Sequence, residues 1–587
     1  MTPRRAALVG PTASAPNERA RAWPARARCS GLVWVLAALL LSACDRPAGQ
    51  APPAGADEGP PAYGGTVVIA GPHDLQELNS LVASEVYTNE FLRYALFTTL
   101  IQYDENLEYT PYLARSWEFL GDTGVVFHLR DDVYWHDGRR TTAYDVAFTY
   151  ERAKDPLTAF PNAEYFEHWR DVLVVDSLTV RFRFEPHADP LMGWTEVAIM
   201  PRHLLESVPP ARLRQAEFNR KPIGNGPFRF VSARSNDRWV FEANPAFPEE
   251  LGGRPYLDRV VWRVIKESAS QLVELRAGSV DLITMVRAEQ LEELERTPGI
   301  RTIVQPTRRY AVIAWNGKRP PLNDARVRRA LSMLIDRQRI VDLLRGGRDR
   351  LAASPLPPSH WAHDASLEPL PYDPGAAAAL LAEAGFRDSD GDGILEDARG
   401  RDFTIELKVA AGVEFQRDAA ELVRADLAAA GVKLITRPAE WLTIVGDITS
   451  PERRFDAVFL EWQTDARANF RDVFHSATLE GPYHVTSYSN PEVDRILDEA
   501  PRITDRERAL PLWRRFQEIM REEQPWTLLY YPSDIFAVKE RVKGIEMDAR
   551  GAFRTLARWW IAGQRPTDAA AGESPDDAAP EPEQATS

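Results

Sequence analysis

Carboxylates at alternate positions followed by glycine are a pattern that can hold a hard cation. The segment Asp388-Ser389-Asp390-Gly391-Asp392-Gly393-Ile394-Leu395-Glu396 has that form. Carboxylates at loop positions 1, 3 and 5 with glycine at 6 match the first half of an EF-hand calcium loop. Position 12, where that loop needs a bidentate glutamate, is Arg399. Two readings follow: a solvated Asp/Gly turn between a helix and a strand, or an irregular calcium site of Asp388, Asp390 and Asp392 completed by Glu396. No other cofactor is expected. His136 precedes the turn Asp137-Gly138 and reads as a partner in a local structural hydrogen bond rather than a metal ligand. The chain contains no HExxH, GxSxG or GxxxxGK[ST] segment, so it carries no zincin, hydrolase-elbow or phosphate-loop motif.

The second reactive group is a thiol at a particular address. The only two cysteines are Cys29 and Cys44. Six arginines precede an apolar run, 31–41, and then Leu41-Ser42-Ala43-Cys44. A basic region, a short apolar region and small residues at a cut site form a secretory signal, and the run is short for a membrane span. A cysteine directly after the small residues is the one that bacterial lipoproteins acylate. Residues 1–43 are therefore expected to be removed and Cys44 to carry the lipid anchor. Multiple acyl chains hold a protein firmly at a membrane. Asp45 resembles the residue that keeps such proteins on the cytoplasmic membrane. The remaining chain is free of thiols, which leaves no disulfide, thiolate metal site or cysteine nucleophile.

The elements around these groups set the architecture. Residues 44–63 are rich in Pro, Ala and Gly and read as a flexible tether. Residues 564–587, acidic and without aromatic residues, read as a disordered tail. Between them lies enough chain for two or more lobes. A net charge of −15 argues against nucleic acid as a partner. Strands are expected at 66–70, 124–130, 178–184, 404–410, 432–436 and 456–460, from apolar runs or alternation. Helices are expected over 324–344, 376–384 and 414–430, with Gly385 and Gly431 at C-terminal caps. Strand 404–410, helix 414–430 and strand 432–436 make a βαβ unit. Trp315, Trp441 and Trp462 are the aromatic residues considered for a cleft wall, with core packing as the alternative for each.

Several blocks, in order, resemble the family 5 solute-binding proteins, the peptide, nickel and opine receptors of bacterial ABC importers. They are Gly64–Ala70 with Leu78-Asn79, then Pro111–Glu118 running through Trp135-His136-Asp137-Gly138 to Val146. Pro222–Phe230, Gly253–Asp258 and Leu275–Asp281 follow. Asn316, Pro320–Asp324, Arg326–Leu331 and Ile335–Arg337 close the series. The resemblance implies an α/β, two-lobed periplasmic-binding-protein type II fold of the large, peptide-binding subclass, with two hinge strands. It implies a first lobe of 64–312 and 527–563 and a second of 313–526. The hinge strands would be 310–316 and 527–531, which brings Tyr310 and Asn316 into the ligand site.

In peptide-binding members a carboxylate within Trp-x-x-Asp-Tyr-x-Asp-Pro holds the ligand's ammonium. Here the segment is Trp462-Gln463-Thr464-Asp465-Ala466-Arg467-Ala468-Asn469. Trp462 and Asp465 match, whereas Ala466, Ala468 and Asn469 depart from it. The resemblance thus implies an extracytoplasmic, lipid-anchored, monomeric receptor without enzymatic activity. It would deliver a peptide or another small, amine-bearing solute to an ABC permease and its ATPase. A signalling or cell-envelope interaction lipoprotein on the same fold is the alternative. An envelope enzyme would require a converging nucleophile and base, and the sequence names no such pair.

Overall fold

The computed structural model describes residues 60–563, apart from 285, 465 and 466. Cys44, the signal region, all but the last residues of the tether and the acidic tail lie outside the described residues. No helix among the described residues is long and apolar enough to cross a membrane.

Two large mixed sheets organise the chain. The first has seven strands in the order Ile300–Pro306, Ser533–Lys539, Leu282–Ile283, Thr66–Gly71, Arg259–Val264, Arg238–Ala243, Phe228–Arg234. Thr66–Gly71 runs parallel to both of its neighbours. A separate four-stranded antiparallel sheet, built on Gly124–Leu129 and Thr179–Phe184, belongs to the same lobe. It packs against helix Ala143–Lys154, whose start is fixed by a capping box between Thr142 and Asp145.

The second large sheet has six strands, ordered Arg350–Leu351, Trp526–Tyr531, Arg309–Trp315, Ala457–Gln463, Thr404–Ala410, Lys433–Ala439. Its central strands read as near-continuous apolar runs because both faces are covered. In Arg309–Trp315, Tyr310, Val312 and Ala314 enter one core, and Ala311, Ile313 and Trp315 enter the other. The two-residue period of a strand alternates the side chains between faces, so every residue of this strand after Arg309 is buried. The expected βαβ unit is present: Thr404–Ala410 and Lys433–Ala439 pair in parallel around helix Glu414–Ala429.

Two expectations shift. The helix expected over 324–344 is two helices, Ala325–Leu334 and Arg337–Leu344. Ile335 leaves the helical region and the Asp336 carboxylate accepts from Arg339 N at 2.9 Å, starting the second helix. The joint between the lobes also lies elsewhere. Strands Arg309–Trp315 and Trp526–Tyr531 pair with each other inside the second sheet. The chain crosses at 307–308 and again at Pro532. Thr307 Oγ1 donates to the Pro532 carbonyl at 2.5 Å, tying the two crossings together. The lobe boundaries of this fold therefore fall there rather than at 312 and 527.

Candidate functional site

The two lobes meet along a cleft whose contacts are mostly charged. Arg506 is the first residue of helix Arg506–Glu523, started by the Asp505 cap. From that first turn its guanidinium reaches the first lobe. Nε lies 2.9 Å from Asp189 Oδ1, and Nη1 donates to the Leu107 carbonyl at 2.7 Å. Tyr109 Oη donates to the same Asp189 oxygen at 3.2 Å. Asp189 has φ +46°, a left-handed conformation that aspartate tolerates better than most residues. It is 4% exposed. Burial pushes its carboxyl above the ordinary value, with Arg506 opposing that shift. The rings of Tyr109 and Trp361 lie 5.9 and 5.3 Å from the guanidinium carbon of Arg506, within cation–π range.

Two further contacts close the same lip. Arg467 donates to the carbonyls of Glu164 and Tyr165 at 2.9 and 2.6 Å. Ala188 N donates to the Pro501 carbonyl at 2.7 Å. A groove of about 830 Å³ opens beside them. Tyr109, Phe119, Phe184 and Asp189 line it from one lobe, Thr504 and Arg506 from the other. That volume is within the range of small-molecule sites, and the lining mixes rings with a few fixed charges.

Nearer the crossings, Glu196 pairs with Arg93, and Arg308 Nη2 stands 3.6 Å from its other oxygen. Burial alone would raise the Glu196 carboxyl, yet Arg93 and Arg308 hold it below the ordinary value. Glu90, one helical turn from Arg93, accepts from the backbone N–H groups of Ala552 and Phe553 at 2.7 and 3.1 Å. Burial pushes its carboxyl up to about 7, against Arg93 and these two bonds. The arrangement sets cations of the second lobe and of the crossing (Arg308, Arg467, Arg506) against carboxylates and carbonyls of the first. It can grip a polar, elongated solute and exclude water from it as the lobes close.

The residues selected from sequence fall differently. Trp462 and Tyr310 are brought together as register partners of adjacent strands. Both pack on Trp526, at centroid distances of 5.5 and 5.7 Å. They are 5% and 0% exposed, so they form the core beneath the cleft rather than its surface. Asn316 lies at the far end of its strand. Its Nδ2 donates to the Arg453 and Phe455 carbonyls at 2.9 and 2.6 Å, and its Oδ1 accepts from Lys318 N at 3.0 Å. With that amide fully used inside the second lobe, Asn316 does not face the cleft. Trp315 donates to Thr527 Oγ1 at 2.9 Å within the core, and Trp441 packs against the same lobe's other core. Asp465 lies outside the described residues; Thr464, just before it, donates to the Arg308 carbonyl at 3.0 Å, beside the first crossing.

The hydrogen bond of His136 is with a distant partner rather than the local one expected: its Nε2 is 3.0 Å from the Gly226 carbonyl. The residues sequence reasoning missed are Asp189, Arg467, Arg506, Glu196 and Arg93. None occupies a specified position of a motif, Arg467 falling at an unspecified one in the 462–469 segment, and arginine is abundant throughout the chain. One oxygen from each of Asp388, Asp390, Asp392 and Glu396 does come together, within 4.8 Å of one another, but remote from the cleft.

Comparison with known proteins adds to this geometry. The model of the bacterial extracellular solute-binding proteins, family 5 (middle region), matches residues 108–478. The oligopeptide-binding protein AppA of Bacillus subtilis is 30% identical over 537 residues, covering 90% of this chain and 98% of its own. Heme-binding protein A of Haemophilus influenzae is 27% identical, covering 76% and 84%. Among solved structures, Bacillus subtilis AppA in complex with a nonapeptide superposes with a TM-score of 0.69 at 29% identity, over 86% of this chain and all of that one. The substrate-binding protein CtaP of Listeria monocytogenes shares the fold with a TM-score of 0.75 at 22% identity, over 85% and 99%.

Proposed function

Because this chain belongs to the family 5 bacterial extracellular solute-binding proteins, we propose that it captures peptides outside the cytoplasmic membrane as the receptor of an ABC importer. The observation that carries this reading is the closed cleft, with Arg506 of one lobe gripping Asp189 of the other beside a groove of about 830 Å³. A peptide is elongated and carries an ammonium and a carboxylate. Cations and carboxylates on facing walls suit such a ligand, and they favour both charged ends only when the lobes are shut. The relative solved with a nonapeptide supports peptide over other solutes.

Asp465, which follows Thr464 in the sequence, is proposed as the carboxylate that meets the ligand's ammonium, since a desolvated ammonium requires a paired charge. Capture without turnover follows from the same reading. Acylation of Cys44 would hold the receptor at the membrane, where the closed form presents both lobes to a permease and its ATPase.

Isothermal titration with unmodified peptides of about two to nine residues tests the reading. Binding should be accompanied by a rise in melting temperature, and the peptide should be recovered intact. Asp465→Ala should weaken binding by about tenfold or more. Failure of every peptide in a degenerate library to bind, with another solute co-purifying in the cleft, would overturn it.

A further inference from the structure

At the far end of the second lobe, helix Pro374–Glu383 passes into strand Thr404–Ala410 through a loop with a rigid base. Arg387 and Glu396 exchange two backbone hydrogen bonds, at 3.1 and 2.8 Å. Phe386 stacks on Phe403 with centroids 4.5 Å apart. Leu395 N donates to the Gly431 carbonyl at 2.8 Å. On that base the acidic loop folds back on itself. Asp388 accepts from Gly391 N and Gly393 N at 2.7 and 3.2 Å, and Asp392 accepts from Ile394 N at 2.8 Å. Gly391 and Gly393 have φ of +85° and +88°, which a side chain would disfavour.

These turns alone would be a solvated acidic loop, and the position of Glu396 argues for more. It is only 5% exposed. Its Oε2 is engaged by Ser389 N and Oγ at 2.7 and 2.6 Å, while Oε1 is buried with no hydrogen-bond partner. A buried carboxylate oxygen without a donor is unfavourable unless a cation meets it. Asp388, Asp390 and Asp392 each place an oxygen within 4.8 Å of Glu396 and of one another. Among the described residues none of the four has an ion-pair partner, and the neighbouring Arg401 is committed to Asp397.

We propose that Asp388, Asp390, Asp392 and Glu396 form a calcium site that staples this helix–strand junction. Two oxygens on opposite sides of a calcium ion are separated by about 4.6–5.2 Å, twice the ordinary Ca–O distance. Separations of up to 4.8 Å among the four oxygens are therefore compatible with a single ion between them. An all-oxygen, four-carboxylate set suits calcium better than magnesium, which keeps most of its water. Arg399, where the bidentate carboxylate of an EF-hand loop would sit, leaves water to complete the shell and places the affinity among weak extracellular sites, about 0.1–1 mM. The site is structural. Thr404 starts its strand, Leu407 is the residue paired with Ala457, and the cleft end of that partner strand is Gln463, so the loop and the cleft lie at opposite ends of the sheet.

The test uses the mature chain stripped with EDTA. Equilibrium dialysis against about 2 mM CaCl2 should load one calcium per chain. The melting temperature of the second lobe should rise by roughly 2–4 °C over the EDTA sample, with magnesium giving little of either. The double variant Asp390→Asn, Asp392→Asn changes only exposed side chains and should melt in EDTA like the parent. It should lose both the bound calcium and the thermal gain, and Glu396→Gln should weaken binding. Calcium uptake and thermal gain equal in the parent and the double variant, or absent in the parent, would overturn the proposal.

Discussion

Arg506 and Asp189, more than 300 positions apart, meet across the two lobes with a guanidinium nitrogen 2.7 Å from the carboxylate. The pair exists only when the lobes are shut, because its partners belong to different lobes. Removing one member leaves a buried charge uncompensated, a loss of about 3–5 kcal/mol where water cannot enter. Here the lobes can part and hydrate it. Arg506→Ala should therefore lower peptide affinity by about tenfold or more and enlarge the radius of gyration by small-angle scattering, with the melting temperature of the unliganded protein nearly unchanged. The paired variant Asp189→Asn, Arg506→Gln should recover part of the affinity. Unaltered affinity and scattering in Arg506→Ala would show that the contact does not govern closure.

Arg467 tests geometry separately from charge. It meets two successive carbonyls, of Glu164 and Tyr165, with two nitrogens of one guanidinium. A lysine keeps the charge but cannot reproduce the fork. Arg467→Lys should weaken ligand binding by several-fold through a faster dissociation rate measured by stopped flow, since the contact forms after encounter. A pure charge effect would instead leave Arg467→Lys like the parent and change only Arg467→Ala.

Asn316 should act on stability alone. Truncation to alanine strands the Arg453 and Phe455 carbonyls inside the lobe, at about 1–3 kcal/mol for each buried group left unsatisfied. Chemical denaturation should show that loss, while the protein that remains folded binds its ligand as before. Trp462→Ala should likewise destabilise by about 3–5 kcal/mol, the range for emptying an aromatic site.

Stability should fall as acid is added below pH 6.5. Burial holds His136 at about 4, His187 at about 3 and His484 at about 4, all below the ordinary 6.5. With folded values depressed, the unfolded chain binds more protons below pH 6.5, so stability present above that pH is lost on acidification. Glu90 opposes them. Its folded value, about 7, lies above the ordinary 4.5, so its contribution is fully present below pH 4.5 and lost as pH rises through 7. Three histidine protons against one carboxyl proton give a net slope of up to about 3 kcal/mol per pH unit between pH 4.5 and 6. Glu90→Gln should raise stability at pH 8 by about 1–3 kcal/mol and leave it unchanged at pH 4. Denaturant melts across this range measure both slopes.

The strands and the βαβ unit were legible because burial on one or two faces writes itself into apolar periodicity. The break at Ile335-Asp336 was less legible, since an apolar stripe continues through it and only the Asp336 cap interrupts the backbone. The cleft was nearly invisible. Tyr310 and Trp462 look like ligand groups by chemistry, but their two adjacent strands are covered on both faces, and the two-residue alternation points them into the core. Asp189, Arg467 and Arg506 are each unremarkable in their own neighbourhoods. Their role comes from a contact between lobes, which no local pattern records.

The strand Ser533–Lys539 carries a consequence for the order of folding. It is inserted between Ile300–Pro306 and Leu282–Ile283, and among the described residues it is the only strand with which Ile300–Pro306 pairs. The first lobe therefore cannot close its sheet until residues near 540 have left the ribosome, whereas the second lobe's strands are complete at Tyr531. Loop closure over so long a separation is slow. A chain whose first-made lobe must wait for a strand made so late cannot complete that lobe while most of it is being synthesised. The delay that the topology imposes is thus compatible with export before folding.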